Sequence, residues 1–461
     1  MKKMSLFSVL CLCIGTIIGA GIFGSMPSAA LLAGPVLPLI CIVAAIEILV
    51  RYLPAMAPAT AIPASNGFYM YLTRLVHPFV GFLQMLQVLF NVFVLALLAS
   101  VFAQYFSMVV PSVSQTLVAI LVLALFGVIA LFGLKTSSIV NNAMVVILIV
   151  ALGTFVVCGF PEIKPEYFSV AKMLDLDSIS FTDFGAALGL IASCLMGGYV
   201  SIYYAEEMEN PRKNVLRAFI LATVVVAAIY MLLSMVTVGV APLDESTSLA
   251  SLAGLFMPKT LYWFFVVGGA LFALSTTIIG SILGGMVNLS VIARDKVLPD
   301  AFNKKNKYDI SPLCLIVIVA AAIFVVAFGL PVGTLMSVSS VLGIIIAVAQ
   351  FIPAIRLPKK YPHCYKHAAV KFPRPVLYTL IAIALAFCLY EAYSLIVTTA
   401  GAVWWALLAT LVIAYAYFFI RLVYLKKKGI DLVAIMSAPY APWEEKEAEY
   451  ALLDAKENAH E

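Results

Sequence analysis

The sequence predicts an all-α integral membrane protein with twelve transmembrane helices, and three observations carry that expectation. Of the 461 residues, 64% are hydrophobic and only 11% are charged. An ordinary soluble domain is roughly a quarter charged, and a soluble fold cannot hide this much apolar surface. The apolar residues fall in runs close to the roughly 20 residues that a helix needs to cross a bilayer. Lys and Arg collect on alternate connecting segments, the signature of a multi-pass topology.

Hydropathy places the spans at 6–33, 35–57, 79–109, 115–134, 139–160, 184–205, 215–242, 260–292, 313–330, 332–355, 375–397 and 401–424. Span 1 holds four glycines within Gly15–Gly24. Span 2 is interrupted by Glu47 and Arg51, whose i, i+4 spacing reads as a pair neutralising itself near the cytoplasmic end. Span 3 carries Gln84, Gln87 and Asn91 on one helical face. Span 5 opens at Asn141-Asn142 and contains no lysine, and span 6 is interrupted at Ser193–Tyr199. Span 8 carries Ser275, Thr276, Thr277, Ser281 and Asn288. Such polar stripes serve either helix–helix hydrogen bonds or a substrate path. The remaining spans rest on hydropathy alone. Residues 425–461 form a tail with a basic start and an acidic end, expected to lie in solvent or on the membrane surface.

The orientation follows from charge. With alternate segments assigned to one side, 25 of the 28 Lys/Arg fall on the side that carries Lys2 and Lys3, leaving Lys164, Lys172 and Lys259 opposite. That bias makes the 25-side cytoplasmic and puts both termini inside a cell membrane. The net charge of +5 is too small and dispersed for nucleic-acid binding. The eight cysteines lie mostly in apolar runs and read as free thiols.

The glycine cluster in span 1 admits two readings. Gly15-x-x-x-Gly19 suits close helix packing. Gly19, Gly21 and Gly24 together suit local unwinding, which is tolerated at membrane depth only where it is buried or lines a cavity. Unwinding frees N–H groups at the start of a second half-helix, a fitting cradle for a carboxylate. The interruption in span 6 frees carbonyls that suit an ammonium group. Breaks at corresponding places in two inverted five-helix sets point to a midplane transport site. Donors at one break and acceptors at the other describe a site for a zwitterion such as an amino acid.

At these residues the chain resembles the amino acid–polyamine–organocation superfamily of permeases. Gly19-Ala20-Gly21-Ile22-Phe23 is similar to its span-1 G-x-G-I-F motif. Pro63-Ala64-Ser65-Asn66-Gly67-Phe68-Tyr69-Met70-Tyr71, Ala205-Glu206-Glu207-Met208-Glu209-Asn210-Pro211-Arg212 and Ala293-Arg294-Asp295-Lys296-Val297-Leu298-Pro299 resemble its loops after spans 2, 6 and 8. The resemblance implies a LeuT-type fold of two inverted repeats, residues 1–160 and 184–355, with broken helices 1 and 6. Two extra helices, 375–424, and the tail follow. It implies that backbone N–H groups of Gly19, Ala20, Gly21 and Ile22 hold a substrate carboxylate, and that carbonyls near Ser193, Cys194 and Leu195 hold the amino group. Gly197 falls on the family's span-6 glycine. Met196, Tyr199 and Asn91 complete the expected lining.

Two departures from the family pattern bear on coupling. Tyr199 stands where many members have Glu. Leu148 stands where proton-coupled members carry a span-5 lysine. The missing lysine argues against lysine-mediated proton coupling. It leaves exchange, facilitated diffusion, or a sodium ion on the Gly15–Ile18 carbonyls and the hydroxyls of Ser275, Thr276 and Thr277, oxygen donors suited to a hard cation.

The expected function is transport of amino acids, or of related amines, by alternating access, with a substrate sensor on the same fold as the rival reading. An enzyme is not expected. His77, His363, His367 and His460 lie in loops or the tail, acids within spans reduce to Glu47 and Glu391, and there is no nucleophile elbow or phosphate loop. No cofactor, metal centre or catalytic residue is therefore assigned. The partners are a small-molecule substrate and the bilayer, in a monomer or homodimer. With no acid expected near either break, neutral substrates are favoured over cationic ones.

Overall fold

The computed structural model describes residues 3–244, 247–398 and 401–458. Lys2 and His460 lie outside the described residues. Among these residues the regular structure is helical, with two isolated backbone bridges, Met4 to Met208 and Ser65 to Tyr204. Among the described residues, ten helices are long and apolar enough to cross a bilayer. Gln115–Leu131 and Pro312–Ala327 are shorter apolar helices at the places expected for spans 4 and 9.

We label the helices α1 (Leu6–Ile17), α2 (Ala20–Ala33), α3 (Leu37–Ala61), α4 (Met85–Val109), α5 (Gln115–Leu131), α6 (Leu134–Gly159), α7 (Phe181–Leu195), α8 (Pro211–Gly239), α9 (Phe272–Arg294), α10 (Pro312–Ala327), α11 (Val332–Ala349), α12 (Phe351–Lys360), α13 (Pro362–Lys366), α14 (Arg374–Thr398), α15 (Gly401–Lys427), α16 (Leu432–Ser437) and α17 (Ala441–Asn458). α1 is central and packs on α6, α8, α9 and the segment after α7. α7 lies along α2, and α4 lies against α9 and α11.

Both expected interruptions are present. Ile18 (φ −81°, ψ 79°) and Gly19 (φ −120°, ψ −145°) leave helical geometry between α1 and α2. α7 gives way to a 3₁₀ segment, Met196–Ile202. Close packing explains the glycines. A Cβ on Gly197 would lie 2.5 Å from the carbonyl carbon and oxygen of Thr16, and one on Gly21 would lie 2.6 Å from Cys194 Sγ. Only hydrogen at these two positions lets the second break rest on the first. Both readings of the span-1 glycines therefore hold, unwinding at Gly19 and close approach around it.

The three loop motifs meet in space. Asn66 (φ 47°), Asn210 (φ 46°) and Lys296 (φ 62°) each take the left-handed conformation, which Asn tolerates better than most residues. Ser65 donates from its backbone N–H (3.0 Å) and its Oγ (2.8 Å) to Glu206, and Oγ also reaches Glu207 at 2.6 Å. Asn66 donates to Asn288 Oδ1 at 2.5 Å. Tyr69 donates to Asp295 at 2.9 Å, and Arg74 forms an ion pair with Asp295 at 2.8 Å. Burial alone would raise the Glu206 carboxyl, but donors from Ser65 and Tyr440 outweigh it and hold it below the usual range. Burial raises Glu207.

The tail departs from expectation, because it is docked rather than solvated. Trp443 is 1% exposed, sits against Tyr71, Tyr361 and Tyr440, and donates from Nε1 to Pro63 O at 3.1 Å. Glu447 accepts from the backbone N–H groups of His363 (2.9 Å) and Cys364 (2.7 Å) at the start of α13. Asp454 binds His363 Nδ1 at 2.6 Å, Lys366 at 2.7 Å and His367 Nε2 at 2.9 Å. Tyr440 donates to Glu206 at 2.8 Å. The tail thus clasps two motif loops and α13. The histidine pair serves this clasp.

Candidate functional site

A cavity of ≈ 450 Å³ opens where the two breaks meet. Of the residues expected to bind substrate, Gly19, Gly21, Asn91, Ser193, Cys194, Met196, Gly197 and Tyr199 line it. Ile22 and Leu195 are fully buried behind the wall, so only their backbone groups are placed to contribute. Ala20 opens α2, and the expectation for it likewise concerns its backbone.

The backbone at the two breaks offers unlike groups. A helix leaves its first four N–H groups without intrahelical acceptors, and α2 has no side-chain cap at Gly19. Its positive dipole end and free donors favour an anion. At the other break the ladder changes from α to 3₁₀ at Met196, which frees carbonyls of the last turn of α7. At the end of α1 one carbonyl is already in use. Ile17 O accepts from Gly19 N–H (3.0 Å) and from Tyr230 Oη (3.2 Å).

Beside the first break lies a tight group of oxygens. Thr277 Oγ1 is 2.6 Å from Gly15 O, 3.5 Å from Ile18 O and 3.0 Å from Ala273 O. Thr276 Oγ1 is 3.2 Å from Gly15 O and 2.8 Å from Ala273 O. Three carbonyls and two hydroxyls make a donor set suited to a small hard cation. The Ser275 hydroxyl does not join them, because it is turned to Leu271 O at 2.7 Å. Ala273 takes its place through a backbone carbonyl, which has no signature in sequence. From α6, Asn141 and Val145 reach Gly15. Leu148 is fully buried at the position expected for a lysine.

The expected absence of acid near the breaks is corrected by the structure. Glu391 of α14 lines the same cavity. Its Oε1 lies 2.6 Å from Arg51 Nη2, the nitrogen that Glu47 Oε1 also holds at 2.5 Å. The Glu47–Arg51 pair is therefore not closed on itself. Sequence reasoning missed this link because 340 positions separate Arg51 from Glu391. It also missed Ser25 and Tyr203, which line the cavity with no helical periodicity to mark them.

A family profile described as "Amino acid permease" matches residues 4–419. The chain is 26% identical to a methylthioribose transporter of Bacillus subtilis, over 89% of this chain and 92% of that protein. It is 24% identical to a branched-chain amino acid permease of the same organism, over 66% of this chain and 69% of the relative. It is 28% identical to an uncharacterized protein of Methanocaldococcus jannaschii, over 66% and 71%.

Proposed function

Because this chain belongs to the amino acid permease family, and is therefore a multi-pass membrane transporter and not an enzyme, we propose that it carries amino acids across the cell membrane by alternating access. The reading rests on one observation, the joining of two opposed helix breaks around one cavity. The substrate carboxylate sits on the N–H groups that open α2, from Gly19 to Ile22. The amino group sits on the carbonyls around Ser193–Leu195. The side chain occupies the volume lined by Asn91, Met196 and Tyr199. In this proposal the fold is a twelve-helix LeuT-type 5+5 inverted repeat, residues 1–160 and 184–355, followed by two helices over 375–424. Both termini are cytoplasmic. α1, α2 and α7 with its 3₁₀ extension rock against α4 and α9.

Three carbonyls and two hydroxyls beside the first break favour sodium as a second ligand there. With Leu148 where proton-coupled members carry the span-5 lysine, exchange or facilitated diffusion is the basal cycle. The names of the relatives span a thiosugar and branched-chain amino acids, so the side-chain class is a matter for direct test. Purified full-length protein in liposomes is loaded with each unlabelled amino acid, and counterflow of the labelled one is measured with and without sodium. Counterflow of one or more amino acids is expected. A protein that binds amino acids and moves none is a sensor, and that result would overturn the proposal.

A further inference from the structure

We propose that Glu47, Arg51 and Glu391 form an intramembrane proton site, with Glu391 as the carboxyl group that takes up and releases the proton during transport. The inference rests on the transporter reading, and adds a proton-driven mode to it.

Charge balance within the spans is the starting point. Two carboxylates share one guanidinium, so the fully ionised cluster carries one net negative charge at a depth where uncompensated charge is costly. A purely structural ion pair needs only one acid. Glu47 already supplies it, one turn from Arg51, and both are 1% exposed. Glu391 is the surplus acid, is 17% exposed, and faces the cavity. Like charges held this close favour a proton on one of them. Glu391 is the member that cavity water can reach.

Among the described residues, the charged neighbours of the cluster include no second cation to neutralise it. On α3 the remaining titratable neighbour is Tyr52, and on α14 they are Cys388 and Tyr390. The 3₁₀ segment brings Tyr199. From α7 come Cys194 and, at its far N-terminus, Asp183, which is bonded by Ser180 at 2.6 Å. α8 brings Tyr230, bonded to Ile17 O, with Arg212, Lys213 and Arg217 in its first two turns. α11 carries no titratable side chain. α12 carries Arg356, Lys359 and Lys360, all exposed, and Lys360 is bonded to Arg74 O.

The cluster also touches the part of the chain that must move. Arg51 Nη1 is 3.8 Å from Met196 Sδ, the first residue of the 3₁₀ segment. The adjacent Tyr52 stacks on Tyr199, with ring centroids 5.0 Å apart and planes 21° from parallel. In the proton step, a hydronium ion in the cavity gives its proton to the Glu391 carboxylate and becomes water. Glu391 becomes a neutral carboxylic acid. Arg51 is left paired one to one with Glu47, and the cluster goes from one negative charge to none. The guanidinium is then drawn toward Glu47, and its hold on Met196 changes with it. Protonation on one side of the membrane and release on the other would tie a proton to each turnover.

The test uses full-length protein in liposomes and two independent readouts. Infrared titration of the protein without substrate should show a protonated carboxyl C=O band in the wild type that Glu391→Gln removes. Counterflow with the labelled amino acid panel identifies the probe for flux. For that probe, one pH unit across the membrane should drive up to about a tenfold accumulation if one proton accompanies each substrate. In Glu391→Gln, the ratio of uptake with and without the gradient should fall to about one. Glu47→Gln, which leaves one acid on one arginine, should also flatten it. A carboxyl band unchanged by Glu391→Gln, or a gradient response equal to wild type in that variant, would overturn the proposal. So would loss of flux confined to amino acids with cationic side chains while neutral ones keep their gradient response, because Glu391 would then be a substrate ligand. If no amino acid shows counterflow, the transport reading fails by itself, and the infrared band still decides the proton site.

Discussion

Replacing Gly197 by alanine adds one methyl group at the point where the two helix breaks touch. That methyl would sit 2.5 Å from the carbonyl carbon and oxygen of Thr16 and 2.6 Å from Ile17 N. Favourable carbon contacts lie at about 3.5–4.0 Å, so the deficit is about 1 Å. The obstructing atoms are backbone, with no flexible side-chain end to move aside. The 3₁₀ segment must lift off α1, at a cost in the range of about 1–3 kcal/mol for an overpacked methyl. A displacement of about 1 Å at a positioned site costs up to about a hundredfold in rate. Two neighbouring glycines provide controls with the same change of chemistry. At Gly198 the added carbon meets Phe219 Cδ2 and Thr223 Oγ1 at 3.2 Å, both side-chain atoms with room to give. At Gly189, on the cavity wall, it meets nothing within 4 Å. Counterflow in liposomes should therefore fall at least tenfold in Gly197→Ala, stay within a few-fold of wild type in Gly198→Ala, and change least in Gly189→Ala. Equal rates in all three variants would refute the argument that the two breaks form one site by backbone contact.

Other expectations follow from the same geometry. Thr277→Val keeps shape but removes the hydroxyl 2.6 Å from Gly15 O; any stimulation of uptake by sodium should disappear, and its survival would remove that hydroxyl from the ion set. Trp443→Ala should undock the tail, since emptying a buried indole site costs about 3–5 kcal/mol, or two to nearly four powers of ten in the docking equilibrium; hydrogen exchange over 441–458 should rise, and unchanged protection would contradict the docked position. Asp454 is held well below the ordinary carboxylate range, first by its hydrogen bond from His363 and then by Lys366. A depressed folded value means that its contribution is complete above the ordinary carboxyl pKa and is lost only as pH falls through the lower one. Tail protection should therefore be indifferent to Asp454 between neutral and mildly acidic pH, whereas Asp454→Asn should weaken it at neutral pH, with exchange rates as the measure.

How much of this was legible depended on whether the signal was local. The break in span 1 was legible because Gly19 and Gly21 mark it within three residues, and its backbone groups need no partner to be recognised. The threonine pair was legible because i and i+1 hydroxyls beside a glycine-rich helix are unusual in an apolar span. The same reasoning put Ser275 in the ion set, and its hydroxyl turns out to face Leu271 O. A helix rotates about 100° per residue, so three consecutive hydroxyls cannot all face one neighbour. The tail was misjudged because its charge pattern resembles a solvated helix, and the residue that docks it, Trp443, is a single aromatic with no periodicity around it. Its acids are matched by partners in segments far along the chain, Glu444 by Tyr361, Glu447 by the N–H groups of His363 and Cys364, and Asp454 by His363.

The same distinction separates the two acids of spans 2 and 11. Glu47 comes with its arginine one turn away, so the sequence offers a complete and misleading explanation for both residues. Glu391 comes with no local partner, and a lone carboxylate in an apolar run is costly enough to require one. Counting charges along the spans, rather than pairing them by sequence distance, leaves one acid too many. That surplus is the observation that the fold then explains, by bringing α14 against α3 and turning Glu391 into the cavity between the breaks. Leu148 in place of the span-5 lysine therefore bears on one coupling chemistry only. A carboxyl group held on an arginine that touches Met196 supplies another, on a different pair of helices and at the other break.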